Sequence, residues 1–217
     1  INAFLQDNFG ELMAGDPRSI YDADYFLSRR FPQDIEEAEW LHASVSRMQD
    51  YLLKLEPARA RYLDELSETL RLERRVPRGQ IWEDTKVLLD VLLHGLSPKL
   101  KEVLALRGVR FYEIEILDRY AVELPTRCRL LYELHDTAVQ VTERLQAEIG
   151  ESLAEREQSV RDRLSFEAVI SLRMEVLLTD LDRAIQDLVT FIPIWLDSIE
   201  KRRALLLKRS HEEEAEI

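Results

Sequence analysis

The chain has 217 residues, of which 46% are hydrophobic, so it can bury a sizeable core. Charged residues make up 33%, with only six Gly and seven Pro, which is typical of long helices with exposed polar faces. The net charge of −12 argues against general nucleic-acid binding and disfavours, without excluding, contact with an anionic membrane. Cys128 is the only cysteine, which rules out an intrachain disulfide and fits a reducing compartment, so we expect a cytoplasmic protein.

Short helices are predicted within residues 1–31, and a first long helix begins at Gln33 or Asp34. Apolar residues of this helix recur every three or four positions, as on one helical face: Ala38, Leu41, Val45, Met48, Leu52 and Leu55. Pro57 predicts a kink or a short break, because proline lacks the backbone N–H that a helix needs. The basic run 71–75 and the following Pro77 and Gly79 predict the end of the helix.

Residues 80–124 are predicted to form an insert of shorter helices. The part over 80–94 is apolar nearly all round, which predicts the most buried helix of the chain. Ser97 and Pro98 have the positions of an N-cap and a first-turn proline, and Gly108 that of a C-terminal glycine, so a new helix is predicted there. Residues 109–124 fit a strand or a helix, and we favour a helix because no other stretch offers a partner strand.

Two further apolar stripes follow. Pro125 is predicted to open a helix with the stripe Leu131, Leu134, Ala138, Val141, Leu145 and Ile149, and the charged residues 151–163 either continue a helix or connect two. The longest stripe, within 166–207, comprises Ile170, Met174, Leu177, Leu181, Ala184, Leu188, Phe191, Trp195 and Ile199. Pro193 is expected to kink this helix near Thr190. Residues 211–217 are predicted to form an acidic, disordered tail.

These patterns predict an all-α protein with one domain over residues 1–210. We expect an elongated bundle in which about three long antiparallel helices (34–75, 126–149 and 166–207) pack as in a coiled coil, closed by shorter helices in 1–31 and 80–124. The stripes have two interpretations. As an intrachain core, which we favour, they need no partner, whereas as a coiled-coil seam they imply a homodimer.

No residue pattern predicts catalysis, a metal site or a cofactor. Glu39 and His42 have the spacing of a di-iron ligand pair, but no other histidine has a glutamate three residues before it, so an exposed surface pair is expected. Cys128 and His135 lie about two helical turns apart, roughly 10 Å along a helix. That separation is too long for a thiolate–imidazole pair, so we expect an inert cysteine.

Two basic clusters are candidate sites for an acidic partner, a phosphate or a lipid headgroup. The first cluster is Arg71, Arg74, Arg75 and Arg78, and the second is Lys201, Arg202, Arg203, Lys208 and Arg209. The simpler interpretation is that these are cations near helix ends, balanced by neighbouring glutamates. Leucines at 205–207 would let the second cluster dip into a membrane surface, although the acidic tail beside it argues against this.

Long amphipathic helices without catalytic residues predict a non-enzymatic interaction or scaffold module that binds other proteins or a second copy of itself. One alternative is a sensory or regulatory bundle with a ligand pocket near Pro57 and Pro193, where packing would open. Another is a peripheral membrane protein attached through the second basic cluster.

Overall fold

The computed structural model describes residues 34–104, 114–148, 150 and 152–215. The α-helices in this part are α1 (Ile35–Ala58), α2 (Asp64–Glu68), α3 (Gln80–Asp90), α4 (Ser97–Leu104), α5 (Ile114–Ala147) and α6 (Leu153–Ala215). π-Helical segments over Arg59–Leu63, Thr69–Glu73 and Val91–Leu96 extend or join them, which gives four continuous stretches: 35–73, 80–104, 114–147 and 153–215. These residues contain no strand, which confirms the all-α prediction. The predictions for 1–31 and 109–113 lie outside the described residues.

The stretch 35–73 begins and ends where the sequence predicts. Asp34 caps its start, since the carboxylate accepts a hydrogen bond of 2.7 Å from the Glu37 amide. The six predicted apolar residues of its first half are all buried. At the other end, Arg74 adopts the left-handed conformation with φ of 51°, which terminates the helix.

The structure corrects the helix start predicted at Ser97. Helix α4 continues directly from the π-helical segment Val91–Leu96, so 80–104 is one helix rather than an insert of short ones. The buried Ser97 hydroxyl donates backwards to the Leu92 carbonyl (2.7 Å) instead of capping the turn ahead. Proline crowds the carbonyl of the preceding turn, and the wider π-helical turn before Pro98 provides room for it.

Pro125 also lies inside a helix, since α5 starts at Ile114 and not at Pro125 as predicted. An internal proline costs a helix about 3 kcal/mol. Burial offsets this cost, because the side chains just upstream, Leu117, Tyr120, Ala121 and Leu124, are all in the core. The choice of helix over strand is therefore correct for residues 114–124.

Helix α6 has 63 residues and would be roughly 95 Å long at 1.5 Å per residue. Most of the predicted stripe is buried, with Leu177 and Phe191 half-buried and Leu178, Ile185 and Ile192 buried beside them. The charged residues 153–163 form the first turns of α6. Helical structure is unbroken at Pro193, and likewise at Pro57 in α1. It also runs to Ala215, so the disordered tail predicted from His211 is wrong for residues 211–215.

All four stretches contribute to one hydrophobic core. Along the first stretch, residues that come later in the chain contact earlier residues of α6: His42 contacts Glu200 (3.0 Å) and Arg59 contacts Asp182 (3.0 Å). The same holds along α5, where Tyr120 contacts Asp187 (2.5 Å) and Leu145 contacts Ser159 (2.8 Å). Helix α6 therefore runs opposite to both α1 and α5 and lies against each of them. No helix in the described ranges has both the length and the apolarity needed to cross a bilayer.

Candidate functional site

The candidate site is built on a polar section of the buried face of α5. That face follows a heptad through Leu117, Ala121, Leu124, Cys128, Leu131, His135, Ala138 and Thr142, all of them buried. His135 and Thr142 are the polar members at its C-terminal end. Buried polar groups need hydrogen-bond partners, so these two residues indicate where a non-helical segment docks against the helix.

That segment is the connection 74–79 between the first two helical stretches. His135 Nε2 lies 2.9 Å from the Pro77 carbonyl oxygen, which can only accept, so Nε2 carries the proton. The His135 ring stacks on Trp82, with ring centroids 3.7 Å apart. Val76 is buried in the hydrophobic core, and Arg78 donates a hydrogen bond to the Thr142 hydroxyl. The connection is therefore hydrogen-bonded to α5 at two consecutive residues, Pro77 and Arg78.

Burial also sets the charge of His135. Desolvation lowers the pKa of the imidazole, against the opposing effects of its contacts with Asp136 and the Pro77 carbonyl. A pKa below 6.5 leaves the imidazole mostly neutral at pH 7, and the Nε2–H bond to the Pro77 carbonyl can form in either charge state. The histidine thus acts as a neutral structural clamp on the connection.

The clamped connection forms one wall of a pocket of about 420 Å³. The other walls come from the end of the first stretch, the start of α3 and the part of α6 around residues 163–167. The lining residues are Thr69, Glu73, Arg75, Val76, Pro77, Arg78, Ile81, Arg163, Leu164 and Glu167. Three arginines thus line one pocket with two glutamates, together with an apolar wall.

The three arginines differ in their partners. Arg78 is 3.8 Å from the Glu167 carboxylate, whose side chain is only 12% exposed, so these charges partly offset each other. Within the described part of the chain, the side chains of Arg75 and Arg163 make no ion pair or hydrogen bond, and neither does that of Glu73. The pocket therefore presents two guanidinium groups that are available to a ligand.

The first predicted basic cluster is divided by the structure. Arg75 and Arg78 line the pocket, whereas Arg71 and Arg74 are exposed and do not. No pattern in the sequence pointed to Arg163, which lies 88 positions after Arg75 in a charged run that resembles any solvated helix face. A partial signal was present in α5, where the heptad becomes polar at His135 and Thr142.

The second predicted basic cluster does not form one cationic surface. Lys201 pairs with Asp197 at 2.7 Å, and Lys208 lies 3.6 Å from Glu212, each one helical turn away. Arg202 is buried, Arg203 is half-buried, and Arg209 is exposed. The cluster is thus spread around the helix, with two of its charges locally balanced.

A second surface feature is an apolar stripe on α6. Of the twelve large apolar side chains exposed in the described part of the chain, seven lie on this helix: Leu153, Val160, Leu164, Val169, Leu172, Val176 and Ile194. Val169, Leu172 and Val176, which we call the outer stripe, are 53%, 62% and 57% exposed. Their spacing of three and four places them on one face, opposite the buried Ile170 and Met174.

The remaining candidate residues take part in ordinary contacts. His42 is 3.0 Å from Glu200 of α6 and not in a metal-ligand pair with Glu39. Among the described residues, no group of three or more His, Cys, Asp or Glu is arranged to hold a metal ion. Cys128 is fully buried, and desolvation raises the pKa of its thiol to about 12, so the thiol is protonated at neutral pH.

Comparison of the chain with protein-family models, with curated proteins and with solved structures gave no match.

Proposed function

We propose that this chain is a non-enzymatic protein-interaction module of the cytoplasm, built as an elongated helical bundle with coiled-coil-like packing, and that it binds its partner through the outer stripe of α6. The observation that carries the proposal is the position of Val169, Leu172 and Val176. They lie more than half exposed on the face that points away from the core. An aligned apolar stripe of this kind is typical of a helix that packs against a second helix.

The long heptad seams do not serve as the docking surface in this proposal. The seam residues of α1, α5 and α6 belong to one core within the single chain, which supports the intrachain interpretation of the stripes. Self-association through these seams would need the core to open. The outer stripe is free of that requirement, so we assign it to an amphipathic helix of a partner, either another protein or a second copy of this chain.

The three side chains of the stripe supply part of the binding free energy. Complete burial of a valine or leucine contributes about 1.5–3 kcal/mol, and each of the three side chains has roughly half of that still to gain. Replacing two of them by serine should thus remove about 2 kcal/mol, which corresponds to roughly 30-fold weaker binding. Attachment to a membrane through the second basic cluster has less support, because Lys201 and Lys208 are already paired with carboxylates.

The test combines sedimentation equilibrium of the purified chain with site-specific photo-crosslinking in cells from position 172. We expect a complex that the double substitution Leu172→Ser and Val176→Ser weakens by at least tenfold. The matched control is Val87→Ser together with Leu53→Ser, since these side chains are 58% and 64% exposed on other helices. A strictly monomeric chain without crosslinks from position 172, or equal losses in both double variants, would refute the proposal.

A further inference from the structure

We propose that the pocket lined by Arg75, Arg78 and Arg163 binds a small molecule that carries an anionic oxygen group, either a phosphoryl or a carboxylate group, on an apolar body. This site is distinct from the outer stripe of α6 and does not depend on it. The pocket joins two parts of the chain that the sequence keeps far apart, namely the connection 74–79 and the N-terminal half of α6.

The first support is the availability of the arginines. Arg75 is exposed and Arg163 is half-buried, and neither has an ion pair or hydrogen bond among the described residues. A guanidinium group presents a planar array of donors that matches two oxygens of a carboxylate or phosphate. Two such groups without an ion-pair partner among the described residues line this pocket and supply donors for an anionic oxygen group.

The second support is the rigidity of the wall between them. Val76 and Pro77 are buried, the Pro77 carbonyl is hydrogen-bonded by His135, and Arg78 is held by Thr142. A fixed wall lowers the entropic cost of binding, because the site does not have to be ordered by the ligand. Arg78 completes the positive side of the pocket while it is anchored by its contact with α5.

The third support is the size and composition of the pocket. A volume of about 420 Å³ lies in the range of pockets that bind small molecules, roughly 300–1,000 Å³. Val76, Pro77, Ile81 and Leu164 supply apolar surface beside the arginines. The ligand should therefore have an apolar portion in addition to its anionic group, and it should bind more tightly than the inorganic anion alone.

The two glutamates of the pocket allow a prediction in which charge removal has opposite effects at different residues. Glu167 already lies opposite Arg78, whereas Glu73 has no partner in the described part of the chain and faces the same pocket. An unpaired carboxylate repels an anionic ligand. Removing the charge of Glu73 should thus strengthen binding, while removing that of Arg75 or Arg163 should weaken it. A purely structural role of these residues would not produce opposite signs.

The experiment is an NMR titration of the full ¹⁵N-labelled 217-residue chain with three probes: inorganic phosphate, phenyl phosphate and benzoate. The two organic probes share the apolar ring and separate a phosphoryl from a carboxylate preference. We expect saturable shifts around residues 75–78 and 163–167, with an organic probe binding more tightly than phosphate. The affinity should fall as salt is added, because the site is open to solvent.

The variants are Arg75→Gln, Arg163→Gln and Glu73→Gln, all at residues that line the pocket. Arg71→Gln is the control for Arg75, and Arg173→Gln, on α6, is the control for Arg163, because neither Arg71 nor Arg173 lines the pocket. We expect at least tenfold weaker binding for the first two, two- to fivefold tighter binding for Glu73→Gln, and no change for the controls. The proposal is overturned if no probe binds at about 10 mM. It is also overturned if the controls lose as much affinity as the pocket variants, since binding would then follow net charge alone.

Discussion

A close approach between two helical stretches offers a direct test of the packing. Gly95, in the π-helical segment Val91–Leu96, faces the ring of Tyr51 on α1. A Cβ atom at position 95 would lie 2.7 Å from ring atoms Cδ1 and Cε1 and 3.3 Å from Cγ. Real Cβ atoms essentially never lie this close to another heavy atom, so the ring would have to shift to accept a methyl group.

Gly95→Ala therefore has two opposing effects. Alanine is favoured over glycine in a helix interior by about 1 kcal/mol. Overpacking a well-filled core costs about 1–3 kcal/mol, and this contact is short enough for the upper part of that range. We expect a net loss of about 1–2 kcal/mol in the free energy of unfolding. For a chain of this size, that loss lowers Tm by roughly 2–8 °C.

The decisive measurement is a double-mutant cycle with Tyr51→Ala, followed by urea unfolding. Without the ring, the methyl group added at position 95 meets no obstacle, so the same substitution should now raise the free energy of unfolding by about 1 kcal/mol. The sign of the Gly95→Ala effect should thus reverse between the two backgrounds. If the substitution stabilises the wild-type chain, or has the same effect in both backgrounds, Gly95 does not lie against the Tyr51 ring.

Three further predictions concern single residues. Burial lowers the pKa of His135 in the folded chain below its ordinary value of 6.5. As pH falls, the unfolded chain therefore takes up a proton at this residue before the folded chain does, and the free energy of unfolding should decrease below about pH 6.5. Urea titrations from about pH 7.5 to 5.5 should show a smaller fall in His135→Gln, and equal falls would contradict this. Cys128, fully buried with a thiol pKa of about 12, should resist Ellman's reagent in the native chain and react in denaturant, whereas rapid native labelling would refute its burial. Arg74→Gly should raise the free energy of unfolding by up to about 1 kcal/mol, because glycine adopts the left-handed conformation without strain. Arg71→Gly, within a helix, should lower it by a similar amount, and equal signs in calorimetry would exclude this explanation.

The prolines show where local sequence rules fail. Ser97 and Pro98 match a helix start in residue type and order, and Pro125 matches a first-turn proline, yet both prolines lie inside helices. Such rules describe an isolated segment in water. In the folded chain, the apolar residues on both sides of each proline are buried in the shared core, and this burial outweighs the loss of one backbone hydrogen bond.

The sequence by itself determined that the chain is helical and which residues form most of the core, but not where each helix begins. Helical periodicity is a local property, so Leu41, Met48, Leu181 and Leu188 could be assigned to the core from spacing alone. Only the tertiary structure decided that the heptad of α5 ends in His135 and Thr142, which contact the connection 74–79, and that Arg75 and Arg163 line the same pocket. These contacts join residues tens of positions apart, and nothing in the spacing of one segment specifies which other segment it will face.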